Sequence, residues 1–309
     1  MARNHGGRGR PHTESRSLSE SSRERPGSLA SAYEDSGAQL APEFAAAIQF
    51  TKYERAWIRA QLATFYQKEL ITDVVRRIKA GKEATVYACT AHPSTGRSVI
   101  AAKLYRERSL RGSKNIGEYQ EGRAVLDEDG NPPGSRARGT DRGRARGPKA
   151  EAAAAQTSWL MHEFTLLQAL RARGGDVPEA IEHAEHALLM EFIGEGTNAA
   201  PALNDVELEA GEAHELFERV VFNIELLLEL GWVHGDLSGY NILYDRGRVV
   251  LIDFPQVVDS RKNPKARALF ERDVKRVAQC FARDDWSIDH ERLAQQLWSK
   301  YVPDAEPSP

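Results

Sequence analysis

The sequence predicts an α+β fold, because strand-like segments and separate helical segments both occur along the chain. The apolar segments 86–89 and 99–104, separated by a turn at 93–96, predict a β-hairpin. Further strands are predicted at 187–193 and 249–252. Apolar residues that recur at three- and four-residue steps predict helices at 44–70, 150–170, 212–230, 264–283 and 289–301. Strands and helices in separate runs are typical of α+β proteins.

Three segments contain too little apolar surface to form a core of their own. The Ser- and Arg-rich residues 1–42 predict a disordered basic tail, and residues 303–309 predict a second disordered tail. Residues 106–150, with an Asn-Pro-Pro-Gly turn and an Arg-rich run, predict a flexible basic insert. The periodic residues at 43–72 predict a helical N-terminal extension ahead of the main domain.

Composition excludes several functional classes. The 42 Lys and Arg residues are balanced by 45 Asp and Glu residues, which argues against a basic nucleic-acid-binding surface over the whole chain. The two cysteines, Cys89 and Cys280, are too few for a disulfide framework or a four-ligand zinc site and suit a reducing compartment. No apolar run approaches the roughly 20 residues that cross a bilayer. We therefore expect a cytoplasmic protein with no membrane contact.

The most specific motif is HGDLSGYNIL at 234–243, followed by LIDF at 251–254. Its spacing matches the H-x-D-x-x-x-x-N pattern, followed by a second Asp, of protein-kinase-like enzymes. Phosphoryl transfer requires such a set, in which one carboxylate orients the acceptor hydroxyl while an Asn and a second carboxylate hold Mg²⁺. Asp236 and Asn241 could instead cap a turn, but that alternative leaves Asp253 at the end of an apolar strand unexplained. The motif therefore predicts Mg²⁺-dependent phosphoryl transfer.

A lysine and a glutamate upstream are candidates for the phosphate-binding part of the same site. Lys103 ends the second predicted strand, where an inward ammonium would meet phosphates and the small Ala101 would leave space for adenine. Glu163, on the predicted helix 150–170, is its candidate partner. The alternatives are a solvated lysine and a surface glutamate. The turn at 80–86 is the candidate phosphate-covering loop, although it contains only one glycine.

Together, the segments Gly81-Lys82-Glu83-Ala84, HGDLSGYN and IDFPQ resemble the RIO-type atypical serine/threonine protein kinases, in particular their bacterial-like members. The resemblance covers roughly residues 73–281. It implies a reduced, two-lobed protein-kinase-like fold at 73–302, with an N-lobe at 73–193, built from an antiparallel sheet and a helix. The mostly helical C-lobe would span 194–302.

The same resemblance implies ATP and Mg²⁺ as cofactors. Asp236 would be the catalytic aspartate, Asn241 and Asp253 the Mg²⁺ ligands, and Lys103 the phosphate-binding lysine paired with Glu163. Asp253 could itself accept phosphate, which makes it a second catalytic candidate. The backbone of 190–193 would bind adenine. The full cofactor-binding set would be Gly81, Lys82, Glu83, Val86, Ala101, Lys103, Glu163, Met190, Glu191, Ile193, Ser238, Asn241, Leu243 and Ile252.

The predicted activity is ATP- and Mg²⁺-dependent phosphorylation of protein serine or threonine. We expect it as autophosphorylation, as an ATPase activity that acts as a switch, or as both. A small-molecule kinase of the aminoglycoside phosphotransferase type is one alternative, since such enzymes share the H-G-D-x-x-x-x-N pattern. A nucleotide-gated scaffold on RNA or ribosome precursors is another. The predicted partners are ATP, a protein acceptor that could be the chain itself, and RNA or a ribosome-related particle contacted through the basic tail or insert.

Overall fold

The computed structural model describes residues 44, 50–81, 83–106, 148–282 and 286–302 of the 309-residue chain. The predicted tails and nearly all of the predicted basic insert lie outside these residues, as does Lys82 of the predicted phosphate-covering loop. The described part has the architecture that the sequence predicts, with an antiparallel sheet near its N-terminal end and a mostly helical second half.

Five antiparallel strands form the N-terminal sheet, in the order β1-β2-β3-β5-β4. Their bounds are Ile71–Ala80 (β1), Ala84–Ala91 (β2), Val99–Tyr105 (β3), Ala180–Ala184 (β4) and Ala187–Glu191 (β5). The predicted hairpin corresponds to β2 and β3, and the predicted strand at 187–193 begins where β5 begins and ends two residues later than it.

The sequence did not predict strand β1, and the structure gives the reason. Its pairing with β2 contains three register shifts, between Ile71 and Asp73, Val74 and Arg76, and Arg77 and Lys79. Each such irregularity interrupts the alternation of inward and outward side chains that marks a strand in sequence. Strand β4 was also missed, because it is short and all its residues are only partly buried.

Helix α1 (Lys52–Gln67) covers one face of this sheet. It begins with a capping box in which the Thr51 hydroxyl accepts from the Glu54 amide and the Glu54 carboxylate accepts from the Thr51 amide. Its apolar side chains form one core cluster with the sheet, and this cluster includes Ile58, Leu62, Phe65, Tyr87, Cys89, Ile100 and Leu189. The helix is shorter than the predicted 44–70, and β1 already starts at Ile71.

The second half of the molecule is built around four helices, α2 (Pro148–Ala172), α3 (Ala210–Glu229), α4 (Ala266–Phe281) and α5 (His290–Tyr301). The short strands are β6 (Gly194–Glu195), β7 (Asn198–Ala199), β8 (Trp232–Val233), β9 (Ile242–Tyr244), β10 (Val249–Leu251) and β11 (Val258–Asp259). They pair as β6 with β7, β8 with β11 and β9 with β10. The four predicted helices at these positions are confirmed within a few residues at each end.

The fold positions the candidate site between these two halves. Helix α2 carries Glu163 towards Lys103 of β3, while the β9–β10 hairpin presents Asn241 and Asp253 at its two outer ends. A cavity of about 760 Å³ lies between the sheet and the β9–β10 region. Across the described segments, no helix combines the length and apolar character needed to span a membrane.

Candidate active site

Three charged residues from distant parts of the chain meet at the cavity. The Nζ atom of Lys103 lies 2.8 Å from Oε1 of Glu163 and 2.8 Å from Oδ1 of Asp253. The side chains of Lys103 and Glu163 are almost fully buried, with 5% and 2% of their surface exposed, whereas that of Asp253 is 45% exposed. The structure therefore brings together Lys103, Glu163 and Asp253 at the cavity, and of these three Asp253 has the most exposed side chain.

The protonation of this group follows from burial and charge. Burial alone lowers the pKa of Lys103, but the carboxylates of Asp253 and Glu163 outweigh burial and raise it, so the ammonium stays charged. Burial tends to raise the pKa of Asp253, yet the Lys103 ammonium holds it below its usual value. For Glu163 burial dominates and raises the pKa, with Lys103 opposing it. The Lys103 ammonium and the Asp253 carboxylate are therefore both ionised where they line the cavity.

The backbone around Asp253 is held in an unusual conformation. Asp253 has a φ of 69°, in the left-handed region that non-glycine residues seldom adopt. The amide of the preceding Ile252 donates to the carbonyl of Asn241 at 3.0 Å, which places the Asp253 and Asn241 segments side by side. The following Phe254 is buried, and its ring lies 4.9 Å from that of His234. These contacts aim the Asp253 side chain away from the core.

The loop that carries Asp236 is fixed at several backbone atoms. The amide of Gly235 donates to Oδ2 of Asp273 at 2.7 Å, and the Arg272 guanidinium donates to the carbonyl of Gly235. The side-chain amide of Asn241 donates to the carbonyl of Asp236 at 2.9 Å. The Asp236 carboxylate accepts from Nη1 of Arg276 at 2.9 Å. These hydrogen bonds therefore fix the loop backbone, and the Asp236 carboxylate remains partly exposed.

Two buried titratable groups support this loop. Burial lowers the pKa of His234 to about 4, so its imidazole is neutral at pH 7. Its Nδ1 atom accepts from the Asp236 amide at 3.4 Å, and its Nε2 atom lies 3.2 Å from the carbonyl of Ile252, which assigns the proton to Nε2. Burial raises the pKa of Asp273 to about 7, even though two backbone amides and Arg272 favour its ionised form.

The residues predicted as Mg²⁺ ligands offer suitable donors. The Asn241 amide nitrogen is committed to the Asp236 carbonyl, which leaves the Asn241 side-chain oxygen as a ligand atom. Asp253 contributes a carboxylate with one oxygen on Lys103 and a partly exposed side chain. Mg²⁺ prefers hard oxygen ligands and commonly uses one or two protein carboxylates together with phosphates. The two oxygen donors therefore fit Mg²⁺ held jointly with phosphates. Within the described segments, no group of three or more His, Cys, Asp or Glu residues could hold a metal ion.

Most residues of the predicted cofactor-binding set line the cavity. They are Gly81, Glu83, Val86, Ala101, Lys103, Glu163, Met190, Glu191, Ile193, Leu243 and Ile252. Asp253, predicted as a Mg²⁺ ligand and catalytic candidate, lines it as well. Ser238 and Asn241 do not line it and lie instead in the turn after Asp236, where the Asn241 amide donates to the Ser238 carbonyl. Lys82 lies outside the described residues.

The segment 190–193 lines the cavity, and its hydrogen bonds show which of its polar groups are already paired. The Glu191 carboxylate is turned aside, because it accepts from the Glu179 amide at 3.2 Å and pairs with Arg171 at 3.4 Å. The carbonyl of Ile193 accepts from the Ala200 amide at 2.9 Å. The Ile193 amide, by contrast, has no hydrogen-bond acceptor among the described residues and remains available to a ligand.

Comparison with known proteins places this arrangement in a family. A family model described as RIO domain matches residues 134–293, more than half of the chain. The chain belongs to the RIO domain family. The match contains Glu163, Asp236, Asn241 and Asp253 but begins after Lys103, which the structure brings to the same site. The resemblance predicted from the motifs is confirmed.

Relatives and a solved structure agree with this assignment. The RIO domain chain is 31% identical to the RIO-type serine/threonine-protein kinase Rio1 of Thermoplasma acidophilum, over 46% of this chain and 73% of the relative. It is 35% identical to the serine/threonine-protein kinase rio1 of Schizosaccharomyces pombe, over 40% of this chain but only 25% of that relative.

One solved structure that it resembles is described as the Rio2 kinase-ADP/Mg2+-phosphoaspartate complex from Chaetomium thermophilum. The TM-score is 0.53 at 21% identity, and the match covers 80% of this chain and 70% of the other. The likeness confirms the predicted two-lobed, kinase-like fold.

Sequence reasoning gave no role to two residues of this RIO domain site, Asp273 and Arg276. Asp273 is an acid within the apolar stripe of α4, between the buried Phe270, Val274 and Val277, and this interruption was the available signal. An acid at a core position of a helix indicates a buried hydrogen-bond acceptor. Arg276 carried no such signal, because an arginine on the polar face of a helix resembles any solvated residue.

Proposed function

We propose that this RIO domain protein transfers the γ-phosphoryl group of ATP to a serine or threonine hydroxyl, with Mg²⁺ as cofactor. The observation that carries the proposal is the contact of Lys103 with both Glu163 and Asp253 at 2.8 Å. A buried ammonium between two carboxylates has a high desolvation cost, which a site that binds phosphates and a cation would account for. The kinase names of the relatives support the same activity.

Different residues of the chain would bind the phosphates, the Mg²⁺ and the adenine. Lys103 would bind phosphate oxygens, while Glu163 holds its ammonium in place. Asn241 and Asp253 would hold Mg²⁺, which neutralises charge on the phosphates. The backbone carbonyl of Glu191 and the free amide of Ile193 would bind the adenine edge, with Ala101 and Leu243 on the lining of the same cavity.

Asp236 would act on the acceptor. Its carboxylate accepts a hydrogen bond from the acceptor hydroxyl and takes the proton as the oxygen–phosphorus bond forms. The bond between the γ-phosphorus and the bridging oxygen breaks, and ADP leaves with the electron pair. Because this transition state is loose, positioning contributes more than the basicity of Asp236.

A second acceptor is Asp253 itself. One of its carboxylate oxygens is bonded to Lys103 and its side chain is 45% exposed, so the other oxygen is accessible from the cavity. The description of the Rio2 structure includes a phosphoaspartate. Transfer to Asp253 followed by hydrolysis would give ATPase activity rather than a stable phosphoprotein, which is a switch form of the same chemistry.

The test uses the full chain with γ-labelled ATP and Mg²⁺, and measures phosphoprotein and released phosphate separately. We expect rapid labelling of the wild type and only slow residual labelling of Asp236→Asn, measurable at high enzyme concentration, with MgADP binding retained. The matched control is Glu271→Gln, because Glu271 is also an exposed carboxylate paired with an arginine of α4, here Arg267. Equal labelling of wild type and Asp236→Asn would overturn the proposal. Label that hydroxylamine removes would be an acyl phosphate, as phosphorylated Asp253 would be, and mapping of the labelled peptide to residue 253 would identify Asp253 as the acceptor.

The predictions of a separate protein acceptor and of further partners rest on the sequence alone. The RNA or ribosome-related contact was predicted from residues 1–42 and 106–150, and a protein acceptor other than the chain itself was predicted from the family resemblance. Salt-dependent RNA binding that is lost when residues 107–147 are removed would support the RNA contact. The cytoplasmic location also stays a prediction from composition.

A further inference from the structure

Helix α4 contacts the Asp236 loop through three residues of one face. Arg272 donates to the Gly235 carbonyl, Asp273 accepts from the Gly235 amide, and Arg276 donates to the Asp236 carboxylate. Arg276 lies four residues after Arg272 and three after Asp273, the spacings at which helix side chains are neighbours, so a single rigid element fixes both the loop backbone and its side chain. The first two contacts set where the loop lies, and only the third touches the group that would meet the acceptor.

The contact between Arg276 and Asp236 uses one carboxylate oxygen. Nη1 of Arg276 lies 2.9 Å from Oδ1 of Asp236, and no described residue hydrogen-bonds to Oδ2. The two side chains are 40% and 38% exposed, so the pair is open to solvent rather than buried in the core. A carboxylate with one oxygen occupied presents the other in a defined direction, because rotation of the side chain would break the existing hydrogen bond.

A second ion pair on the same helix serves as a comparison, because it includes no residue of the Asp236 loop. Arg267 and Glu271 lie one turn apart at 3.0 Å, with 56% and 53% of their side chains exposed, and both belong to α4. That pair joins two residues of one helix. Arg276 instead reaches across to a different segment, 40 residues earlier in the chain, and ends on the carboxylate of the HGD motif.

We propose that Arg276 is a positioning residue for the transfer reaction. It holds Oδ1 of Asp236 so that Oδ2 faces the acceptor hydroxyl in line with the γ-phosphorus. This inference rests on the proposed function, since it assigns Arg276 a role through Asp236. Arginine suits the task, because its guanidinium remains charged and directs its donors in a fixed plane. In a reaction that depends on positioning, even a displacement of about 1 Å can reduce the rate by 10²-fold.

The experiment measures phosphoryl transfer by the full chain for Arg276→Ala, Arg276→Lys and the control Arg267→Ala. We expect Arg276→Ala to lower kcat by roughly tenfold or more while the KM for ATP stays within about twofold. Arg276→Lys should recover part of the rate, because an ammonium can still donate to Oδ1. Arg267→Ala should match the wild type, and all three should melt within a few degrees of it.

A double-variant comparison separates positioning from direct phosphate binding. In the Asp236→Asn background, the loss of Arg276 should not reduce the residual rate further, since its target is already altered. A multiplicative further loss, an unchanged kcat in Arg276→Ala, or a raised KM for ATP as the sole effect would each overturn the inference. Full activity of Asp236→Asn alone would instead overturn the proposed function, so the two failures are distinguishable.

Discussion

Two ion pairs of the proposed active site differ in burial. Lys103 and Glu163 have 5% and 2% of their side chains exposed, whereas Asp236 and Arg276 have 38% and 40% exposed. Buried charges carry a large desolvation penalty that a good partner only just offsets, while exposed pairs contribute little either way. The pair that would bind phosphates is therefore buried and costly to form, whereas the pair at the carboxylate that would meet the acceptor is open to solvent and contributes little to stability.

The largest effect should come from the buried cluster. In Lys103→Met, Glu163 is left as a buried carboxylate without its partner, so the free energy of unfolding at pH 8 should fall by about 3–5 kcal/mol. Because burial already raises the pKa of Glu163, the loss should shrink as pH falls and Glu163 takes up a proton. Chemical denaturation measures the change, and MgADP binding should also be lost.

The double variant Lys103→Met/Glu163→Gln provides the control for that prediction. It removes the unpaired charge, so it should recover much of the stability without recovering MgADP binding. A destabilisation of Lys103→Met below 1 kcal/mol would contradict the view that this cluster is the costly one.

We expect an intermediate effect from Asp273 and His234, the two buried groups that support the Asp236 loop. Their pKa shifts change the pH dependence of stability in opposite directions. The pKa of Asp273 is raised to about 7 in the folded state, so the folded state takes up its proton first and this group stabilises the fold as pH falls from 7 towards 4. The pKa of His234 is lowered to about 4, so the unfolded state takes up the proton first and stability is lost from about pH 6.5 downwards.

Single variants should therefore change the pH dependence of stability in opposite directions. Relative to the wild type, Asp273→Asn should lose more stability on acidification from pH 7 to 4, and His234→Gln should lose less, each by roughly 3 kcal/mol. Denaturant titrations at several pH values without Mg²⁺ measure these slopes. Parallel pH profiles for the two variants would contradict the assigned pKa directions.

The smallest effect should come from the exposed pair. Arg276→Gln should change the free energy of unfolding by less than about 1 kcal/mol, similar to Arg267→Gln on the same helix. Equilibrium denaturation at pH 7 measures both variants. If Arg276→Gln lost as much free energy of unfolding as Lys103→Met, the buried and the exposed ion pair would not differ in stability as their burial indicates.

The sequence was most informative where local pattern and chemistry agree. The motif at 234–243, the strand before Asp253 and the hairpin that ends at Lys103 predicted residues that meet in space although 150 positions separate Lys103 from Asp253. Strand β1 was missed, because its three register shifts remove the alternation that sequence reading depends on.

The contacts of α4 were harder to predict for a different reason. The buried Asp273 interrupts an apolar stripe and could have been recognised as a hydrogen-bond acceptor. Arg276 could not, because its role depends on how α4 docks against a loop 40 residues earlier, and no local pattern encodes that docking. Tertiary placement of a polar side chain is the information that the sequence alone did not supply.

The most direct test of the account is a crystal structure of the full chain with MgADP. We predict nucleotide in the cavity between the two lobes, with a phosphate oxygen within hydrogen-bond distance of Nζ of Lys103 and Mg²⁺ coordinated by Asn241 and Asp253. Nucleotide bound elsewhere, or Mg²⁺ with neither residue among its ligands, would contradict the account.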